Sequence, residues 1–169
     1  MDPNKWGPAT WRVMHGLVEH YTPELHSAYQ GFFYSLAACL PCRTCRNNYV
    51  LKVIEAPFPC ERSKVTIRKW VIGIHNGVNK DLNKPVLSQR RAAAAIKARA
   101  LNSKDVRRAI SFMDTNLQNR PPPEYRAGLR ILKRHLGDIL ASVASPRASR
   151  RPGPRPRSQR GQSRTRNPR

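Results

Sequence analysis

The chain has 169 residues, room for one ordinary domain of roughly 100–150 residues plus an appendage. Its 32 Lys and Arg against 10 Asp and Glu give a formal charge of +22, more than solubility needs, which points to an anionic partner or surface. The start Met1-Asp2-Pro3-Asn4-Lys5 has no secretion-signal pattern, and the uncharged run Ala28–Cys42 is too polar and too short, against ~18 apolar residues, to span a membrane, so a cytosol-like compartment is expected.

From the N-terminus, apolar residues recur at spacings of three and four, and strand alternation is absent, so the fold class read from the sequence is all-α. Trp11, Met14, Val18 and Tyr21 share one face of a first helix, with Pro8 suited to its first turn. A second helix over about 24–38 turns Leu25, Tyr29, Phe32, Phe33 and Leu36 inward. Leu40-Pro41 breaks the chain, because the residue before a proline avoids helical geometry while proline itself suits a helix start. Cys42 then opens a third helix reaching about Ile54. Pro57 and Pro59 mark a loop holding Cys60. Val65–Leu82 forms a fourth helix with Trp70, Val71, Ile74 and Val78 at helical spacing, and Trp70 is read as core.

From Ser88 the texture turns to Arg, Lys and Ala, then to Pro121-Pro122-Pro123, which sets a boundary near residue 87. A basic extension over 88–145 is expected to hold three helices. On its last helix Leu129, Leu132, Leu136, Ile139 and Val143 form an apolar stripe that needs a partner surface in cis or in trans. Residues 146–169 carry nine Arg and no acid, with too little apolar surface to offset the entropy of ordering, and are expected to be disordered when free.

Four cysteines, at 39, 42, 45 and 60, serve redox chemistry or metal in a reducing compartment more often than structural stapling. Cys42-Arg43-Thr44-Cys45 at a helix start suits a redox pair. Unpaired first-turn N–H groups stabilise a thiolate at Cys42, lowering a pKa that is about 8.5 in a free thiol. Arg43 and Arg46 add positive charge, and Cys45, one turn further in, is expected to be the more sheltered sulfur, suited to face a buried cofactor. Two other readings of the thiols stay open on the cysteines alone. One is a four-thiolate zinc site. The other is unconnected thiols, with Cys39 in the core and Cys60 exposed in its loop.

Two further segments bear on the choice. Trp6-Gly7-Pro8-Ala9-Thr10-Trp11-Arg12-Val13-Met14-His15 resembles the WGxxxWxxxH opening of the Erv/ALR family of FAD-dependent sulfhydryl oxidases. His75-Asn76-Gly77-Val78-Asn79-Lys80-Asp81-Leu82-Asn83-Lys84-Pro85 is similar to the family's HNxVNxxLxKP segment, and Leu40-Pro41-Cys42-Arg43-Thr44-Cys45 stands between them at the family's active-site position. The resemblance covers about residues 5–87, and the short opening with the LPCxxC form looks most like members found in large DNA viruses.

The resemblance implies a four-to-five-helix bundle binding FAD over 1–87, followed by the helical extension and the tail. Gly7, Trp11, His15, His75, Asn76, Val78, Asn79 and Lys84 then fall at cofactor-binding positions, and no metal ligand is implied. The residue types agree, since a flavin nucleotide needs flat aromatic and imidazole walls, amide donors and a cation for its pyrophosphate. By the same analogy Cys42 exchanges disulfides with protein thiols or a thioredoxin-like relay, Cys45 lies against the flavin, and dioxygen is reduced to hydrogen peroxide. A homodimer formed through the first helices and work in the host cytoplasm or virion are implied as well.

The chain departs from the family pattern in three places. A structural disulfide common in relatives is missing, its positions falling near Ile67 and after Pro85. Leu40 stands where relatives often have an aromatic residue. The tail has no sulfur to act as a shuttle, so Cys60 and Cys39 are the other candidates for that role, and substrates are expected to reach Cys42 directly. The basic tail suggests tethering to nucleic acid or an acidic virion protein, with a nuclear-import signal or a solvated end as the readings beside it, and no aromatic residue in it supports stacking on bases. The different-class alternative is a zinc-stabilised, basic nucleic-acid-binding structural protein. It accounts for the charge and leaves the Trp/His and His/Asn segments unexplained.

Overall fold

A computed structural model describes residues 1–97 and 101–144 of the chain. Every regular element among the described residues is helical, in agreement with the all-α reading. The elements are α1 (Pro3–Glu19), α2 (His26–Cys39), α3 (Arg43–Glu55), α4 (Lys64–Asp81), α5 (Gln89–Lys97), α6 (Ser103–Thr115) and α7 (Pro123–Ala144). Single 3-10 turns lead into α2 and follow α6. The expected disorder of 146–169 lies outside the described residues.

Local chemistry accounts for most of the boundaries. α1 begins at Pro3, not near Pro8: the Asp2 carboxylate accepts the Asn4 N–H at 2.9 Å and Pro3 fills the first helical position. Pro8 sits in the second turn, inside the helix, on its exposed side. Ser63 caps α4, and Asn102 caps α6 by accepting the Asp105 N–H at 2.8 Å. α4 ends in a left-handed Asn83 (φ 51°) with Lys84 N–H donating to Asn79 O and Asn83 N–H to Lys80 O, the paired closure that a residue tolerant of positive φ permits.

The core begins with the aromatic residues of α2. Phe33 packs edge-on against Trp70 of α4 at 5.1 Å, and Phe58 wedges against both from the proline loop. Trp70 satisfies its indole by donating to Ala56 O, and it lies in the core as expected. Phe58 carries no periodicity signal, since an isolated aromatic between two prolines belongs to no helix face. α1 packs on α4, α3 packs on both α2 and α4, and Arg68 of α4 holds Glu19 of α1 through two bonds of 2.7 Å.

The apolar stripe of the extension finds its partner in cis. α7 lies along α2, burying Leu129, Leu132, Leu136 and Ile139 in the same core cluster as Phe32, Phe33 and Leu36. Val143 is only half-buried. α6 lies on α1, tied by Arg12 to Asp105 at 2.8 Å. Two glycines let α7 approach α2: Gly31 faces the His135 ring, and a Cβ on Gly128 would stand 2.6 Å from that of Ala38. Gly128→Ala is expected to cost about 1–3 kcal/mol in urea unfolding through overpacking. Adding Ala38→Gly should lose less than the sum of the two single changes, because the clash is shared.

Candidate active site

Cys42 and Cys45 form a disulfide with a Cα–Cα separation of 5.1 Å. Leu40 is held extended before Pro41 (ψ 138°), so the chain leaves α2, turns, and re-enters a helix with Cys42 as its N-cap rather than its first residue. The Cys42 sulfur accepts the Cys45 N–H at 3.2 Å, a position normally taken by a Ser or Asp oxygen. Arg46 donates to Leu40 O at 2.7 Å and lies 5.4 Å from the Tyr125 ring centroid, so its charge stays beside the pair and its side chain braces the turn. Tyr49 anchors α3 from the other side by donating to Phe33 O. Both cysteines are half-buried, so the greater shelter expected for Cys45 does not separate them.

The other two thiols stand as expected. Cys39 is fully buried at the end of α2, and burial pushes its thiol up to about 12; Cys60 is exposed. Among the described residues no three His, Cys, Asp or Glu side chains gather in a group that could hold a metal ion, so the zinc alternative gains no support.

A second constellation joins α1 to α4. Trp11 and His75 stack face to face, centroids 3.9 Å apart and 8° from parallel, and His15 Nε2 pairs with His75 Nδ1 at 2.9 Å. One imidazole must donate and the other accept, which two neutral rings satisfy and two cations do not. Burial, reinforced by the proximity of His75, lowers the His15 pKa to about 4; burial and the nearby Lys84 ammonium do the same for His75. His15 Nδ1 and Trp6 Nε1 are buried without a partner among the described residues. Open space lies beside Gly7, where a Cβ would meet nothing within 4 Å. No third ring fits between Trp11 and His75, since a sandwich needs about 7 Å. A planar ligand therefore meets the outer faces of the pair or parts it.

The sequence-selected amides of α4 are put to a specific use. Asn76 bonds the backbone of Leu87 at both ends of its amide, 2.8 Å to the carbonyl and 3.2 Å from the N–H, and Asn79 donates to Pro85 O at 3.3 Å. Together they hold the 83–87 strap, with Lys84 exposed on it, beside the histidine pair. Val78 is half-buried. α3 runs antiparallel to α4: Ala56 meets Trp70, while Lys52 meets Gly77 and pairs with Asp81 at 3.2 Å. Following α3 back to Cys45, seven residues and about 10 Å, leads toward the end of α4 where the strap lies. The unpartnered Trp6 indole is the feature that sequence reading passed over. Its only signal was its place in the Trp/Gly motif.

Two outcomes follow from these environments. In native, unreduced protein, mass spectrometry should find iodoacetamide on Cys60 and none on Cys39, with Cys42 and Cys45 labelled only after reduction. Each imidazole titrates near 6.5 when unfolded and near 4 when folded, so the unfolded chain binds more protons between those values. Stability is therefore full above pH 6.5 and lost as pH falls toward 4. The melting temperature should drop over that window, and His15→Gln should flatten the drop; an unchanged profile in the variant would contradict the assignment.

Among known proteins, a family model described as the Erv1/Alr family matches residues 8–99. The chain is 35% identical over 102 residues to a protein of Acanthamoeba polyphaga mimivirus named as a probable FAD-linked sulfhydryl oxidase, spanning 57% of this chain and 71% of that one. It is 31% identical over 87 residues to the FAD-linked sulfhydryl oxidase of African swine fever virus, covering 49% of this chain and 72% of the relative. It is also 26% identical over 94 residues to a mitochondrial FAD-linked sulfhydryl oxidase of Schizosaccharomyces pombe, covering 52% and 50%. No solved structure gives a significant match.

Proposed function

The chain belongs to the Erv1/Alr family, and from that membership we propose that it oxidises protein dithiols to disulfides as an FAD-linked sulfhydryl oxidase, with Cys42–Cys45 as its redox pair. The observation that carries the assignment of the pair is the disulfide at the N-cap of α3, its Cys42 sulfur accepting the Cys45 N–H.

A client thiolate attacks Cys42 Sγ, the Cys42–Cys45 bond breaks, and Cys45 leaves as a thiolate. The client is then joined to Cys42. Its second thiolate attacks the client sulfur of that bond and releases Cys42 as a thiolate, so a client disulfide is formed and the electron pair rests on the two cysteines. Two protons pass from the client thiols to solvent. The N-cap geometry favours this release, since the Cys45 N–H, the helix terminus and Arg43 stabilise negative charge at Cys42.

The residues present fit a flavin nucleotide. Trp11, His15 and His75 offer planar walls, Trp6 Nε1 and His15 Nδ1 are buried polar atoms awaiting partners, and the space beside Gly7 admits close approach to backbone. When bound, FAD supplies the two-electron acceptor that side chains lack, with dioxygen as the final acceptor and hydrogen peroxide as product. Lys84 provides charge for a pyrophosphate. Asn76 and Asn79 fix the strap that carries it, and Val78 lines the same end of α4. Neutral imidazoles keep the walls uncharged at pH 7.

The same reading extends to the setting. Residues 1–87 form the oxidase unit, 88–145 a basic cover and 146–169 a tether to nucleic acid or an acidic virion protein. Clients are protein thiols or a thioredoxin-like relay, the chain pairs as a homodimer, and the viral relatives support work in the host cytoplasm or virion. No helix of the described residues is long and apolar enough to cross a membrane.

The purified protein should be yellow, with flavin absorbance in the visible, and should consume oxygen with dithiothreitol. Cys45→Ser should keep the colour and lose uptake by roughly a hundredfold or more. A colourless protein carrying stoichiometric zinc would overturn the reading.

A further inference from the structure

The helix that carries the redox pair is apolar on two sides. Its inner side sets Tyr49 and Val53 against the core. Its outer side leaves Val50 36%, Leu51 57% and Ile54 68% exposed. Single exposed apolar residues are ordinary, but three within five residues on one helix make a patch. Arg43, Asn47, Val50 and Ile54 stand at i, i+4, i+7 and i+11, one continuous stripe, with Leu51 at its edge. The stripe begins next to Cys42 and runs about 16 Å to Ile54. An extended polypeptide covers that length with about five residues.

Charge along the stripe has one sign. α3 has no acidic residue until Glu55, its last, and the two cations nearest the disulfide, Arg43 and Arg46, differ in freedom. Arg46 is spent on Leu40 O, whereas Arg43 is exposed and forms no ion pair among the described residues. A ligand lying on this face meets a cation beside the disulfide and apolar side chains beyond it.

We propose that the outer face of α3 is the client-docking surface, and that its occupant is an unfolded, reduced polypeptide whose cysteine is flanked by an acidic residue on one side and an apolar segment on the other. The inference rests on the oxidase reading and specifies its substrate class. A folded domain presents few apolar side chains in extended chain, so the surface selects proteins that have not completed folding. Docking along the stripe brings the client cysteine to Cys42 with its acid against Arg43, and the thiol–disulfide steps are those given above.

The test uses the full chain, loaded with flavin, and three synthetic dithiol peptides. One carries Asp next to its cysteine and a Leu-Val-Leu flank, the second replaces the flank by Ser-Ser-Ser, and the third replaces the Asp by Lys. Oxygen uptake by the wild type should show a KM about tenfold lower for the first than for the second, the gain expected from partly burying leucine-sized groups. The third should be weaker by a severalfold factor that shrinks in high salt. L51S/I54S, whose substituted positions are exposed, should keep its melting temperature and its dithiothreitol rate while losing the preference for the apolar flank. Equal KM values for the first two peptides, or a preference retained in the variant, would overturn the proposal. So would a change of sedimentation in the variant with client preference intact, which would assign the face to a second copy of the chain. Failure of the wild type to oxidise dithiothreitol would instead sink the oxidase reading itself.

Discussion

Proline at position 41 cannot continue the helix that Cys39 ends, and it forces Leu40 into extended backbone. The geometry of the Cys42–Cys45 disulfide hangs on that break. It frees the next N-terminal turn, places the Cys42 sulfur where a capping oxygen normally stands, and gives Cys45 the N–H that this sulfur accepts. The turn is held from outside by the Arg46 bond to Leu40 O and from below by Tyr49 on Phe33 O, so the disulfide is borne by a rigid helix end.

A small domain must cover the apolar faces of its helices, and this chain does so partly with residues beyond the matched family segment. α6 covers α1 and α7 covers α2, in one core with the aromatic cluster of Phe33, Phe58 and Trp70. The close approach of α7 is possible because Gly31 and Gly128 leave room where side chains would collide. The consequence for the site is indirect but physical: α2, whose end delivers the Leu40–Pro41 turn, is clamped between α3 and α7, and Arg46 reaches from α3 to the Tyr125 ring of α7.

The histidine pair shows how a basic protein can still hold an uncharged site. Desolvation, like-charge proximity and the strap lysine all act against protonation, and the pair satisfies one ring nitrogen on each partner without ionising. Their remaining polar edge at His15 Nδ1, with the Trp6 indole, is left without a partner among the described residues. A buried donor or acceptor in that state costs about 1–3 kcal/mol, which a bound ligand with complementary groups would recover.

Much of this was legible without coordinates. Local rules determined the helix count, the break at Pro41, the redox spacing, the buried Cys39, the exposed Cys60 and the amphipathic stripe of α7, because each depends on residues within one or two turns of each other. The start of α1 was not legible: Pro8 suits a first helical turn, but the helix begins at the Asp2 cap with Pro3 and carries Pro8 inside it on the exposed side. What the sequence left undetermined involves residues far apart in the chain. That the α7 stripe is covered in cis by α2, that Phe58 fills the space between Phe33 and Trp70, and that Asn76 holds a strap eleven residues on all require helix faces to meet, and periodicity names a face without naming its partner. The stacking of Trp11 on His75 and the pairing of His15 with it are of the same kind: the sequence supplied the rings, and only the packing of α1 on α4 determined that they touch.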